Sequence, residues 1–252
     1  MRFLRKAQTR YYIHSPFVHF FCEEIMRDSR HYYAFDDITN LKKNLLHSTE
    51  KFHHLDRGAG SSLATGNREK LVSAMAHRAS LPEKYGHLFF RMIEYFRPAH
   101  ILELGTCLGI GTAYLASPMQ KSHVMTLEAD PFLCQKAKKN FQALHLSNIE
   151  LVQGSFEELL PVVLDRIPSV DFAYIDGDHR REPVLDYYRQ IKNCCHENSI
   201  LLFDDIHWSE DMEKAWNTIR EDKDITLSID LFRLGIVFFR QGRVKENFSL
   251  FY

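Results

Sequence analysis

The sequence predicts an α/β fold, a doubly wound and mostly parallel sheet with helices on both faces, preceded by a helical N-terminal extension. Three observations carry that reading. From His100 onward, short apolar runs alternate with helix-length segments. Two later runs, 225–231 and 235–240, are joined by too few residues for a parallel crossover and must pair antiparallel. Before about residue 82 the pattern differs, reading as helices and loops with no β-rich run. A chain of 252 residues suits one large domain with a substantial appendage, giving an extension over 1–82 and an α/β domain over 83–252.

In chain order, His14-Ser15-Pro16-Phe17 reads as a helix start, with Ser15 as N-cap and Pro16 at the first helical position. That helix is expected to run to about Arg27. Residues 51–55 make a poor buried strand, and the glycine-containing stretch 56–62 reads as a linker, with a lid over a binding pocket as its functional alternative. Helices are expected from Arg68 to Arg78 and from Glu83 to Phe96, the second starting after Pro82 and stopping before Pro98. Strands follow at 100–104, 123–128, 149–153, 171–176 and 199–204. Helices separate them at 110–117, 131–145, 155–165, 182–195 and 209–222, the one at 131 opening on Pro131. Runs this apolar belong to strands covered on both faces.

Composition narrows the class. Hydrophobic residues make up 45% of the chain, enough for a sizeable core, and a formal net charge of −1 argues against a dedicated nucleic-acid binder, though not against a local basic patch. The five cysteines, Cys22, Cys107, Cys134, Cys194 and Cys195, show neither a CxxC pair nor a zinc spacing, so reduced thiols in a cytoplasmic setting are expected. The adjacent Cys194 and Cys195 read as half-buried thiols rather than a redox pair. Arg2, Arg5, Lys6 and Arg10 are followed by no apolar stretch of signal-peptide length, and no run is long enough to cross a bilayer. The aromatics of the first helix are expected to pack on their own domain rather than on a membrane surface.

The chemistry-bearing residues sit where such a sheet binds ligands, beyond the carboxyl ends of its strands. The strand ending at Glu103-Leu104 turns through Gly105-Thr106-Cys107-Leu108-Gly109-Ile110-Gly111 into a helix. Glycines there allow positive φ and close approach of a ligand. The next strand ends at Glu128, about 20 residues beyond the loop, where an acidic residue reads ribose hydroxyls. The glycines do not make GxGxxG, which disfavours a nicotinamide dinucleotide site and an oxidoreductase. Glu103 sits badly beside a diphosphate and suits a ligand bearing an ammonium and a sulfonium.

An acidic cluster lies further along. Asp176 and Asp204 end strands that are neighbours about 4.8 Å apart, and Asp205, Asp178, His179 and His207 are close by in sequence. Adjacent strand residues point to opposite faces, so Asp204 and Asp205 can share a ligand only where the strand has already turned. Either His179 or His207 can act as general base, against the plainer reading that one histidine among fourteen is an ordinary loop residue. Trp208 either walls an acceptor pocket or packs inside, the second being the plainer reading.

Glu103-x-Gly105-x-x-x-Gly109, then Glu128-Ala129-Asp130, Gly154-Ser155 and Ile175-Asp176-Gly177-Asp178-His179 together resemble the motif series of class I S-adenosylmethionine-dependent methyltransferases. The resemblance covers about residues 83–240 and is greatest to the O-methyltransferase-like branch with an IDGDH motif. It implies a Rossmann-like, seven-stranded sheet of order 3-2-1-4-5-7-6 with strand 7 antiparallel, in agreement with the terminal hairpin. It also implies that Glu103, Gly105, Thr106, Gly109 and Thr112 hold the methionine part of S-adenosylmethionine and that Glu128 holds the ribose. Ala129, Gly154, Ser155 and Phe156 would surround the adenine, Asp176 would complete the cofactor site, and Tyr85 and Gly86 would lie on a helix closing over it. Related metal-dependent enzymes match at Asp176, Asp204 and Asp205, which implies a divalent Mg²⁺, Mn²⁺ or Ca²⁺ that lowers the pKa of an acceptor hydroxyl. With the two histidines as general-base candidates, the expected catalytic set is Asp176, His179 and His207. The whole chain, His14-Ser15-Pro16-Phe17 included, also resembles a bacterial group of methyltransferases that supplies no substrate.

The expected function is therefore O-methylation of a small-molecule hydroxyl, assisted by a divalent cation. The alternative is a non-catalytic protein of methyltransferase fold that binds S-adenosylmethionine or a partner. The apolar tail, residues 244–252, fits either packing back on the domain or a homodimer contact, and both stay open.

Overall fold

The computed structural model describes residues 14–54, 68–79, 81–242 and 244–252. Arg2, Arg5, Lys6 and Arg10 and the glycine stretch 56–62 lie outside the described residues. The fold is Rossmann-like α/β with a mixed central sheet. Two compact units make it up: Asp28–Leu159, and the segment ending at Arg27 together with Leu160–Tyr252.

Ser15 has the extended backbone of an N-cap ahead of α1 (Pro16–Phe20), and Pro16 opens that helix. Its hydroxyl makes no cap, however, and donates instead to Glu246 Oε2 at 2.8 Å. A π-helical turn, Phe21–Met26, continues α1 and buries Phe21, Cys22, Ile25 and Met26.

The unit Asp28–Leu159 contains α2 (Tyr33–Leu46), β1 (Lys51–His54), β2 (Arg68–Leu71), α3 (Val72–Ala79), α4 (Glu83–Phe96), β3 (His100–Leu104), α5 (Ile110–Ala116), β4 (His123–Glu128), α6 (Pro131–Ala143) and β5 (Ile149–Gln153). Here the absence of strands expected before residue 82 is corrected. β1 and β2 pair antiparallel, Phe52 opposite Lys70, and the helix expected from Arg68 begins only at Val72. Neither strand shows an apolar alternation in sequence; among the described side chains of β1, Phe52 is the buried one, stacked on Phe132 of α6 at 4.4 Å. Phe35 of α2 likewise stacks on His87 of α4 at 3.9 Å. At the end of α4, Arg97 takes a left-handed φ of 50° just before Pro98, which stops the helix where the sequence places its end. Strands β3, β4 and β5 run parallel in that order, His100 opposite His123 and Val124 opposite Ile149. Ile101, Leu102 and Leu104 of β3 and Val124, Met125 and Leu127 of β4 are all buried, as a strand covered on both faces requires.

The other unit contains α1 and, beyond α7 (Phe156–Leu164), β6 (Val170–Ile175), α8 (Arg181–Lys192), β7 (Cys195–Phe203), α9 (Glu210–Glu221), β8 (Leu227–Asp230), β9 (Gly235–Phe238) and β10 (Glu246–Ser249). Its strands lie in the order β6-β7-β9-β8-β10. β6 and β7 are parallel, and β9 is antiparallel to both β7 and β8, with Ile200 opposite Phe238 and Leu227 opposite Phe238. The tail packs back as β10, parallel to β8. Phe17 and Phe21 meet the ring of Phe238 edge-on at 5.3 and 6.2 Å, and the Arg240 guanidinium lies 3.9 Å from the Phe17 ring centroid. The first helix thus packs its aromatics on its own unit. None of the five cysteines is in a disulfide, and burial pushes the Cys195 thiol up to about 12 and raises Cys194, which disfavours a thiolate at either. No helix among the described residues is long and apolar enough to cross a membrane.

Candidate functional site

In the unit Asp28–Leu159 the chain leaves β3 through Gly105 (φ 104°) and enters α5 from Gly109 (φ 80°). The N–H groups of Gly105 and Thr106 both donate to the Leu127 carbonyl, at 3.0 and 3.2 Å. A Cβ on Gly109 would lie 2.5 Å from the Phe141 ring, so glycine is required there twice, by its φ and by the close approach of α6. Glu128, at the end of β4, is held by backbone amides, those of Cys107 and Asp130 with a further pull from Ala129. Cys107 N–H donates to Oε2 and Asp130 N–H to Oε1, each at 2.9 Å. Half-buried at the strand end with its oxygens oriented by backbone amides, this carboxylate fits a ribose diol. Asp130 in turn caps α6, accepting from Phe132 and Leu133 N–H at 2.8 and 3.1 Å. Ala129, Gly154, Ser155 and Phe156 are all half-buried, and Gly154 N–H bonds the Glu128 carbonyl at 2.9 Å.

Other residues expected at the cofactor turn inward. Glu103 is 1% exposed, and its Oε2 accepts from Thr112 Oγ1 at 2.5 Å and Thr126 Oγ1 at 2.6 Å. Thr126 spends its one proton on Glu103, so Thr106 donates to Thr126 across their 2.5 Å contact. The result is a buried chain, Thr106 to Thr126 to Glu103, with Thr112 joining from α5. Burial pushes the Glu103 carboxyl up to about 7 against the opposing pull of the two hydroxyls. Tyr85 is buried, and a Cβ on Gly86 would fall 2.3 Å from the Tyr114 ring, so this glycine lets α4 pack on α5.

In the other unit, Asp176 follows β6 and accepts from the Tyr174 hydroxyl at 3.2 Å, with His179 Nε2 3.6 Å from its other oxygen. Burial, then the Asp204 and Asp205 carboxylates, hold Asp176 well above the usual carboxylate range. Asp178 pairs with Arg180. Asp178, His179, Asp205 and Phe232 all have left-handed φ, between 42° and 71°, which concentrates backbone strain in this cluster.

The ladder between β7 and β9 ends with Phe203 opposite Gly235. Two residues further, the antiparallel register sets Asp205 opposite Arg233, and Ile206 N–H reaches the Arg233 carbonyl at 3.1 Å. Asp205 turns the strand at φ 50°. Asp204 is 1% exposed and meets the Arg233 guanidinium side-on, Nε to Oδ1 at 2.9 Å and Nη2 to Oδ2 at 2.6 Å. Arg233 Nε is also 3.5 Å from Asp205 Oδ1. These residues do not fit the divalent ion expected at Asp176, Asp204 and Asp205. Both oxygens of Asp204 are engaged by a fixed cation that would repel a second one. Among the described residues no group of three or more His, Cys, Asp or Glu side chains converges so as to hold a metal.

His207 lies on the same turn. Its Nε2 is 2.9 Å from Asp230 Oδ2, and its ring stacks on Phe232 at 5.5 Å. With Nε2–H donating to Asp230, Nδ1 is the accepting nitrogen. Trp208 is 69% exposed, which corrects the expectation that it packs inside, and Phe232 is 56% exposed. Asp230, Arg233 and Thr126 are functional neighbours that the sequence reading misses. A signal exists for the first two, since they are the only charged residues in the run 225–239, and charges inside an apolar hairpin must be paired.

Comparison with known proteins bears on this geometry. Residues 102–206 match the family described as a methyltransferase domain. The chain is similar to an uncharacterised protein of Acanthamoeba polyphaga mimivirus, 28% identical over 54% of this chain and 68% of that one. It is 25% identical to a catechol O-methyltransferase of Niastella koreensis, over 54% of this chain and 62% of the relative. Its fold resembles that of the SAH-bound methyltransferase of Podospora anserina, with a TM-score of 0.61, 14% identity, and coverage of 91% and 97% of the two chains.

Proposed function

We propose that this chain, an enzyme of the S-adenosylmethionine-dependent methyltransferases, transfers a methyl group to a hydroxyl of a small molecule. The observation that supports it best is Glu128, a half-buried strand-end carboxylate oriented by the Cys107 and Asp130 amides as a ribose diol requires. Gly105, Gly109 and the intervening backbone are assigned to the methionine part, and Ala129, Gly154, Ser155 and Phe156 to the adenine. Glu103, Thr106 and Thr112 support the loop from beneath through their buried hydrogen bonds.

When bound, S-adenosylmethionine supplies a methyl group activated by a sulfonium. The acceptor oxygen must shed its proton as the new bond forms, and His207 is assigned as the base that takes it at Nδ1, with Asp230 fixing the imidazole. Asp176 and His179 are assigned to contact the acceptor, and the exposed rings of Trp208 and Phe232 favour a planar one. The cation in the expected function is not carried forward, because Arg233 holds Asp204. Five cysteines without a disulfide fit a cytoplasmic setting.

The test is incubation with S-adenosylmethionine and a panel of phenols, catechols and aliphatic alcohols, read by mass spectrometry. The expected result is S-adenosylhomocysteine together with an O-methylated acceptor. Tight cofactor binding with no transfer to any hydroxyl contradicts the catalytic assignment.

A further inference from the structure

We propose that Arg233 is the resident cation of the acidic cluster, standing where three carboxylates would otherwise call for a divalent ion, so that the chain binds none. The carboxylates concerned, Asp176, Asp204 and Asp205, are the set that the sequence reading assigns to a metal. Three observations carry the proposal. The β7–β9 register delivers Arg233 to the turn that bears Asp204 and Asp205. The guanidinium takes both oxygens of Asp204, at 2.9 and 2.6 Å, and lies 3.5 Å from Asp205. Asp204 is 1% exposed, so the pair is not a surface ion pair that solvent would readily exchange.

The charges are consistent with this arrangement. One guanidinium balances Asp204 at hydrogen-bond distance and stands 3.5 Å from Asp205. A guanidinium has fixed charge and five donors in a planar fork, so it neutralises and positions carboxylates without a coordination sphere. It also ties the Asp204–Trp208 turn to the hairpin turn at 231–234, the two segments that bring His207 to Asp230. Arg233 is thus a positioning residue. Its link to methyl transfer rests on the proposed function, whereas its exclusion of a metal does not.

Titration of the wild-type chain with Mn²⁺, followed by the loss of the free-ion EPR signal, tests the proposal directly. No saturable binding up to 1 mM Mn²⁺ (about the upper limit of a useful resident site) is the expected result. A wild-type site with a Kd of about 100 µM or tighter that disappears in Asp204→Asn overturns it. Arg233→Met removes the resident cation and should gain saturable Mn²⁺ binding, at least tenfold tighter than wild type and lost again when Asp204→Asn is added. A folded Arg233→Met that gains no Mn²⁺ binding also overturns the proposal, and the wild-type titration decides the matter should that variant not fold. Methyl transfer, where measured, should be unchanged by EDTA. Failure to find an acceptor would count against the proposed function and leave the Mn²⁺ result to judge Arg233.

Discussion

The two acidic regions of this molecule solve the same electrostatic problem by different means. In the unit Asp28–Leu159, the buried Glu103 is met by the neutral hydroxyls of Thr112 and Thr126, and burial pushes its carboxyl up to about 7. In the other unit, the equally buried Asp204 is met by a full positive charge from Arg233. Hydroxyl donors partly offset the desolvation of one carboxylate. A cluster of three carboxylates needs a cation, and here the chain supplies it from a neighbouring strand. The difference teaches where each region should be sensitive: the first to pH, the second to loss of one side chain.

The largest expected effect breaks the comparison on the reactive side. His207→Ala should lower kcat/KM by about 10²–10⁴-fold while leaving the dissociation constant for S-adenosylmethionine within about twofold of wild type, as read by steady-state kinetics and calorimetry. A rate that survives the change removes His207 from the catalytic assignment. Next comes stability. Arg233→Met should lower the unfolding free energy by about 3 kcal/mol in urea, the lower end for a broken buried pair because Arg233 itself is 31% exposed. A loss below about 0.5 kcal/mol would mean that the pair behaves like a surface one.

The hydroxyl-solvated carboxylate predicts a pH effect of similar size at most. Glu103 moves from an ordinary 4.5 to about 7 in the fold, so the folded chain holds a proton that the unfolded chain has released between those values. Its contribution to stability is full below pH 4.5 and is lost as pH rises through 7, a fall of up to about 3 kcal/mol. Glu103→Gln, which can still accept from both threonines, should flatten that slope in urea titrations at pH 5, 6, 7 and 8. An unchanged slope would place the titration elsewhere.

Legibility in the sequence divides along the same line. The strands from β3 to β7 and the helices between them were readable because each is a local apolar run with a local stop, as at Pro98 or Pro131. The glycine loop and Glu128 were readable for the same reason, since their spacing along the chain is the signal. The inward turn of Glu103, Thr106 and Thr112 was not readable, because the packing of α5 against β3 and β4, and not spacing, decides which way a side chain points. Arg233 stands 29 residues from Asp204 and meets it only through the β7–β9 register. The pairing of β1 with β2 was hidden likewise, joined across a long separation with no apolar alternation in either strand to announce it.

The central claim, that Glu128 and the glycine loop form an S-adenosylmethionine site, is tested most directly by calorimetry with that ligand on wild type and Glu128→Ala. The account predicts saturable binding by wild type and, in the variant, a dissociation constant raised about tenfold, the equivalent of one lost charge-assisted hydrogen bond. Absence of binding by wild type at millimolar ligand, or equal binding by the two proteins, would contradict it.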